Sequence, residues 1–383
     1  MRTTFLLIIL FVSIFGHSQI TKIMNVETPG SLSTLLTEDE KSIITNLTIT
    51  GTIDVRDIKC MRDQMSVLSD IDLSESSIAA YDGGAVTYPY ATSYPANELP
   101  AYSFRNYYLS QAKTTLITII LPKTLVSIGK SAFSTCPNLK SINIGNSITT
   151  IGVDAFIGCY GLNTVKMGSS VTTIGATAFE FCYALSNLTI GDHVIYIGAK
   201  AFDNCTSLSK LVIPNSMTTI GSFAFTYCTG LTELTIPSST SIIEIGAFTG
   251  CNGIKTIYSL NPTPPVCDNC FSGVNGVTTV FVPASAVGAY KSSLVWSDCY
   301  YSQIKAITTT NINNPTNSKV KVYANHYEII INGTNNGDII NIYTLTGKLI
   351  QMIKSSGEQV NIPIRTNNIY IVKTENESFK VSL

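Results

Sequence analysis

Charge and histidine are scarce in this chain. Only 13% of its 383 residues are Asp, Glu, Lys or Arg, and 24 basic side chains stand against 25 acidic ones. A basic surplus is what steers a protein to nucleic acid or an anionic membrane, so no nucleic acid is expected as partner. Low charge combined with 45% hydrophobic residues also excludes a solvated, disordered chain, which needs the opposite composition. Three His occur, His17, His193 and His326, and the first falls in a leader-like segment. No pattern sets His193 or His326 beside a thiol as a base, so catalysis is not expected. Long apolar runs are missing as well: after the leader, no stretch approaches the roughly 18 uninterrupted apolar residues of a spanning helix.

Residues 1–18 contain Arg2, an apolar run from Phe5 to Phe15, and the ending Gly16-His17-Ser18, with small residues at the two positions a signal peptidase reads. They read as a signal peptide cut after Ser18. The mature chain is then secreted or held at the outer cell surface, with no transmembrane span.

A repeat dominates the mature chain. Ala-Phe-x-x-Cys occurs at Ala132-Phe133/Cys136, Ala155-Phe156/Cys159, Ala178-Phe179/Cys182, Ala201-Phe202/Cys205, Ala224-Phe225/Cys228 and Ala247-Phe248/Cys251, each 23 residues after the last. Another step lands on Phe271, while Phe104 precedes Phe133 by 29, so that unit holds six extra residues. Between markers, apolar positions such as Leu139, Ile142, Ile144, Ile148 and Ile151 recur. Alternation at Ile142 and Ile144 suits a short strand with one buried face. The Gly of each Ile-Gly step permits a tight turn, and Ala-Phe-x-x-Cys reads as one helical turn with Phe and Cys inward. A unit this small cannot bury its own apolar face, so the units stack into a solenoid of parallel strands with coils about 4.8 Å apart.

These residues resemble the BspA-like leucine-rich repeat family, whose units follow Leu-x-x-Ile-x-Ile-Pro/Gly, Ile-Gly, Ala-Phe-x-x-Cys. The resemblance implies a leucine-rich repeat solenoid, mainly β with short helical turns. It gives an amino-terminal cap over 19–98, repeats over 99–259, and a closing repeat and cap over 260–307. The cap resemblance rests on Leu47-Thr48-Ile49-Thr50-Gly51, Met61-Arg62 and Ile71-Asp72-Leu73 at one end. At the other it rests on Pro264-Pro265, Phe281-Val282-Pro283, Ala289-Tyr290 and Trp296. The family also implies attachment to host matrix proteins or to bacterial surfaces.

Past Ile307 the sequence turns polar, with Thr308-Thr309-Thr310 and Asn313-Asn314-Pro315, and then alternates strand-like runs with Gly/Asn turns. Residues 308–383 read as a linker and a small antiparallel β-sandwich. Ile342-Tyr343-Thr344-Leu345-Thr346-Gly347-Lys348-Leu349-Ile350 and Ile369-Tyr370-Ile371-Val372-Lys373 are similar to the carboxy-terminal sorting domains of the type IX secretion pathway of Bacteroidetes. That resemblance implies the type IX secretion machinery as a partner. Asn313-Asn314-Pro315 and Asn368 depart from its usual pattern, and a plain accessory sandwich is the other reading.

Candidate binding residues are those alternating with the buried set on the repeat strand: Ser141, Asn143, Thr164, Lys166, Asn187, Thr189, Lys210, Val212, Glu233, Thr235, Thr256 and Tyr258. They make a long, nearly neutral strip suited to a protein or glycan, although Thr on a strand is also favoured by β-propensity alone. A second candidate is a Tyr-rich loop holding Tyr81, Tyr88, Tyr90 and Tyr94, with Tyr102, Tyr107 and Tyr108 beyond it. Its rings serve either as contact surface or as a cover for the first coil.

Of the ten Cys, the six in the repeat read as buried packing thiols. Cys267 and Cys270 are open to a local disulfide, a disulfide with Cys299, reduced packing, or zinc, for which no second Cys-x-x-Cys exists. No metal site and no cofactor are expected. A structural scaffold without a dedicated ligand is the alternative to recognition.

Overall fold

A computed structural model describes residues 19–297, 303–307, 320–325, 328–344, 349–363, 369–374 and 378–382. The leader, Cys299, the polar stretch 308–319, His326, Leu345 to Lys348 and Asn368 lie outside them.

The repeats wind into a leucine-rich repeat solenoid in which each coil carries two short strands. On Ser141–Ile144 the side chains alternate, with Ile142 and Ile144 buried and Ser141 and Asn143 exposed. Such strands have one apolar face, and burying it against the coil interior orients each of them alike. Seven of the first strands form one parallel sheet: Thr21–Val26, Asn46–Ile53, Asp70–Ile78, Thr118–Ile120, Ser141–Ile144, Thr164–Met167 and Asn187–Thr189. A second parallel ladder joins Glu98–Leu99, Ser127–Ile128, Thr150–Ile151, Thr173–Ile174 and Tyr196–Ile197.

Both ladders stop there and restart one coil later. Leu211–Val212, Glu233–Ile236, Thr256–Ser259, Thr279–Val282 and Gln303–Ala306 form a new sheet, beside a ladder of Thr219–Ile220, Ile242–Ile243 and Val266–Cys267. The interruption falls where the file Gly145, Gly168, Gly191 gives way to Pro214 and Pro237. A Cβ on Gly168 or Gly191 would stand 2.5 or 2.7 Å from the carbonyl oxygen of the glycine one coil earlier. A proline ring cannot approach so closely, and it brings no N–H to the ladder.

The Ala-Phe-x-x-Cys segment corrects one expectation, because it is not a helical turn. Ser131 just before its first copy and Thr135 within it lie in the left-handed region, at φ +52° and +56°, as do Thr177 before the third and Phe181 within it, at +55° and +61°. A left-handed residue every four positions breaks helical continuation and leaves linked turns. The turned backbone then bonds between coils: Phe133, Phe156, Phe179, Phe202 and Phe225 each donate N–H to the Ala carbonyl of the next coil at 2.7–2.8 Å. Phe104 through Phe271 stack ring on ring along the axis at 5.0–5.6 Å. The glycine of the Ile-Gly step differs as well. Gly152 has no positive φ; a Cβ there would sit 2.8 Å from the backbone of Ile128 and Gly129, so close approach is what excludes a side chain.

At the amino-terminal end, helix Val55–Asp63 starts from Asp54, and the buried Asp57 carboxylate accepts N–H groups of Gly30 and Leu32 at 2.6 and 2.8 Å. At the other end, Tyr290 and Trp296 are buried edge to face at 5.1 Å. Trp296 Nε1 donates to the Pro265 carbonyl at 3.1 Å. One apolar core runs from Val26 to Ile304. A separate core, including Val322, Ile329, Ile340, Ile342, Tyr370 and Val381, belongs to the carboxy-terminal strands. Those strands form two antiparallel sheets, one of three and one of four strands. No helix among the described residues is long and apolar enough to cross a membrane.

Candidate functional site

Strand register brings the strip residues into two outward rows. Ser141, Thr164 and Asn187 are direct partners, as are Asn143, Lys166 and Thr189. Beyond the interruption, Glu233 pairs with Thr256, and Val212, Thr235 and Tyr258 form the second row; Lys210 immediately precedes its strand. The strip is therefore two plates, because Thr189 and Val212 share no ladder. Each plate also extends further than the repeat pattern indicates. Asp70, Asp72, Thr118 and Ile120 continue the first, while Thr279, Gln303, Phe281 and Lys305 continue the second. Phe281 was expected within the closing cap; it stacks on Tyr258 at 5.1 Å. Its signal in the sequence was the alternation Thr279-Val280-Phe281-Val282, which puts Val280 and Val282 inside. Burial, and after it the Glu233 carboxylate, pushes the Tyr258 phenol upward.

The Tyr-rich loop divides into support and surface. Tyr94 is buried, and its phenol oxygen accepts N–H groups of Val86, Thr87 and Tyr88 at 2.8, 3.0 and 3.3 Å. Burial alone would raise Tyr94; these donors outweigh it and hold the phenol below its ordinary value. Tyr81 bridges to Tyr94 and lies under the Arg56 guanidinium at 4.6 Å. Tyr88 stacks on buried Tyr102 at 5.2 Å, with Tyr107 edge-on to both. Tyr90 and Tyr108 stay 73% and 70% exposed. Of the four residues named first, only Tyr90 is thus a presented ring.

The six extra residues of the first unit are taken up in the hairpin of Arg105–Asn106 and Gln111–Ala112. Arg62 fixes it by donating to the Tyr102 and Arg105 carbonyls at 2.8 and 3.2 Å, and buried Lys113 donates to the Met65 carbonyl. Burial lowers Lys113 to about 8.

The repeat thiols face inward and are buried. Cys159, Cys182, Cys205, Cys228 and Cys251 each donate S–H to the Phe carbonyl 26 residues earlier, at 3.0–3.4 Å. Burial pushes Cys136 up to about 12 and Cys159, Cys182, Cys205 and Cys228 in the same direction, which suppresses the thiolate a nucleophile requires. Cys267 and Cys270 are joined as a disulfide, with Cα atoms 5.6 Å apart. His193 is exposed in a turn. Among the described residues no group of three or more His, Cys, Asp or Glu is placed to hold a metal ion.

A family model described as BspA type leucine rich repeat region matches residues 100–228 and 172–300, together more than half of the chain. A comparison with curated proteins gives no match. Among solved structures, a leucine-rich repeat protein from Bacteroides ovatus is similar at 16% identity and TM-score 0.30, covering 80% of this chain and 100% of its own. The T. pallidum leucine rich repeat protein is similar at 24% identity and TM-score 0.27, covering 48% of this chain and 78% of its own. A leucine rich cell surface protein from Faecalibacterium prausnitzii is similar at 16% identity and TM-score 0.27, covering 78% of this chain and 86% of its own.

Proposed function

Because the chain belongs to the BspA type leucine-rich repeat family, we propose that it is an exported, non-catalytic recognition protein. Its outward strand rows bind a protein or glycan at a host matrix or bacterial surface. The observation that carries this reading is the composition of those rows. Ser141, Asn143, Thr164, Asn187 and Thr189 on the first plate, and Thr235 and Thr256 on the second, hold hydroxyl and amide groups in fixed register within each sheet, with Lys166, Lys210 and Glu233 spaced among them. Such a surface hydrogen-bonds along its length without strong charge and loses little conformational entropy on contact.

In this reading residues 19–98 and 260–307 close the two ends of the solenoid, and 1–18 direct export. Residues 308–383 engage the type IX secretion machinery; the two-sheet antiparallel arrangement and the strand Ile339–Thr344 with its Ile342-Tyr343-Thr344 support that assignment. The test is the purified chain on an array of matrix proteins and glycans at increasing salt. Saturable binding to one class with weak salt dependence supports recognition through the neutral rows. Silence from folded protein supports a scaffold instead.

A further inference from the structure

At the level where the ladders are interrupted, backbone bonds that recur elsewhere among the described residues are missing. Gly152, Gly175 and Gly198 donate N–H to Ile128, Ile151 and Ile174 of the preceding coil at 2.8–2.9 Å, and Glu244 donates to Ile220 at 2.9 Å. Gly221, the equivalent donor to Ile197, makes no such bond. Thr149, Thr172, Ile195 and Ser241 likewise donate to Val126, Thr149, Thr172 and Thr218, whereas Thr218 does not donate to Ile195. Neither strand of the coil pairs with its predecessor.

The third side of the coil stays connected. Lys200, Phe202 and Asn204 donate to Ser222, Ala224 and Thr226 at 2.9, 2.8 and 2.8 Å. The Cys228 thiol donates to the Phe202 carbonyl at 3.2 Å, and the Phe202 and Phe225 rings stack within 1° of parallel at 5.2 Å. Ser207 N–H reaches Tyr183 at 3.2 Å. In the bend between the two ladders, opposite the Phe file, the Ser216 hydroxyl donates to the Val194 carbonyl at 2.6 Å.

Two sides that lack the backbone bonds to the preceding coil, and one side that keeps them, describe a hinge with its pivot on the bonded side. We infer that the solenoid flexes at this level about the Phe/Cys file, with the Ser216 contact as a latch. The plate ending at Asn187–Thr189 turns relative to the plate beginning at Leu211–Val212. Within each plate the parallel ladders keep register fixed. Between them, the outward rows Asn143-Lys166-Thr189 and Val212-Thr235-Tyr258 change their mutual angle, so one face accommodates ligands of different curvature. The hinge stands on the bonding pattern and does not depend on the recognition reading.

The test is pulsed electron–electron resonance on the full chain in a Cys299→Ser background, the file thiols being buried. Spin labels at Asn143→Cys and Thr235→Cys span four coil steps across the interruption. Labels at Thr48→Cys and Lys166→Cys span four strand-to-strand steps within one plate. We expect the cross-hinge distance distribution to be about twice as wide as the control. Equal widths would overturn the hinge. On the unmodified chain, hydrogen exchange at Thr218 and Gly221 should be roughly a hundredfold faster than at Thr172 and Gly175, with Phe202 as slow as Phe179. Equal protection at Gly221 and Gly175 would overturn it as well.

Discussion

Replacing Phe179 tests how the solenoid holds together. Its side chain is 0% exposed, and its ring lies between Phe156 and Phe202 at 5.0 and 5.1 Å, within 3° and 4° of parallel. Truncation to Ala removes a fully buried ring and leaves a cavity that two flanking coils cannot fill, because their backbone is hydrogen-bonded from coil to coil and their rings are stacked on Phe133 and Phe225. The cost should be about 3–5 kcal/mol. Of this, the two ring contacts account for roughly 0.5–1.5 kcal/mol each beyond area burial. Phe179→Leu keeps most of the volume and loses the stacking, so it should cost only about 1–2 kcal/mol. Urea unfolding can be followed by the fluorescence of Trp296, the chain's one tryptophan and a buried one. Exchange should rise most in the coils of Phe156 and Phe202 and least near Phe271, because each coil touches only its neighbours. A cost below about 1 kcal/mol, or an equal loss of protection along the whole solenoid, would refute the nearest-neighbour account.

Further outcomes rest on the same packing. Lys113 is buried and its pKa is lowered from 10.5 to about 8. Between those values the unfolded chain holds a proton on this side chain that the folded chain has shed, so the contribution of Lys113 to stability rises with pH across that window, by up to about 3 kcal/mol, while the raised buried thiols contribute a fall over the same range. Urea midpoints near pH 7.5 and 10 should therefore fall further with pH in Lys113→Met than in the native chain, and an equal fall in both would refute the reasoning. Iodoacetamide should leave Cys159, Cys182, Cys205 and Cys228 unlabelled in native protein and label them all once it is unfolded, read by mass spectrometry. Replacing Cys267 and Cys270 together by Ala opens a four-residue loop and should cost about 2 kcal/mol in thermal or urea denaturation.

The repeat was legible because one pattern is written six times, and every copy must bury the same positions to stack. Ile142, Ile144, Phe133 and Cys136 are buried, and Ser141 and Asn143 are exposed, as alternation requires. The turn geometry was not legible. Phe and Cys three residues apart face the same way on a helix and on linked turns. The left-handed positions that decide between them are glycine in the six copies only at Gly158, Gly246 and Gly250, whereas Ser131, Thr135, Asp154 and Phe181 fill the same positions elsewhere and carry no glycine signal. The interruption of the ladders was hidden for a similar reason: Pro214 follows the strand alternation and differs from Gly191 only in what it forbids the neighbouring backbone. Around the Tyr-rich loop, composition marked the cluster, but only the N–H groups converging on Tyr94 separate a supporting ring from presented ones such as Tyr90.

The central claim is that the outward rows recognise a ligand while the rest of the coil only positions them. The most direct measurement compares binding by the native chain and by Lys166→Ala/Lys210→Ala/Tyr258→Ala on the surface that the array identifies, with folding checked by circular dichroism. Loss of saturable binding from a folded triple variant is the predicted result. Undiminished binding by that variant would contradict the claim.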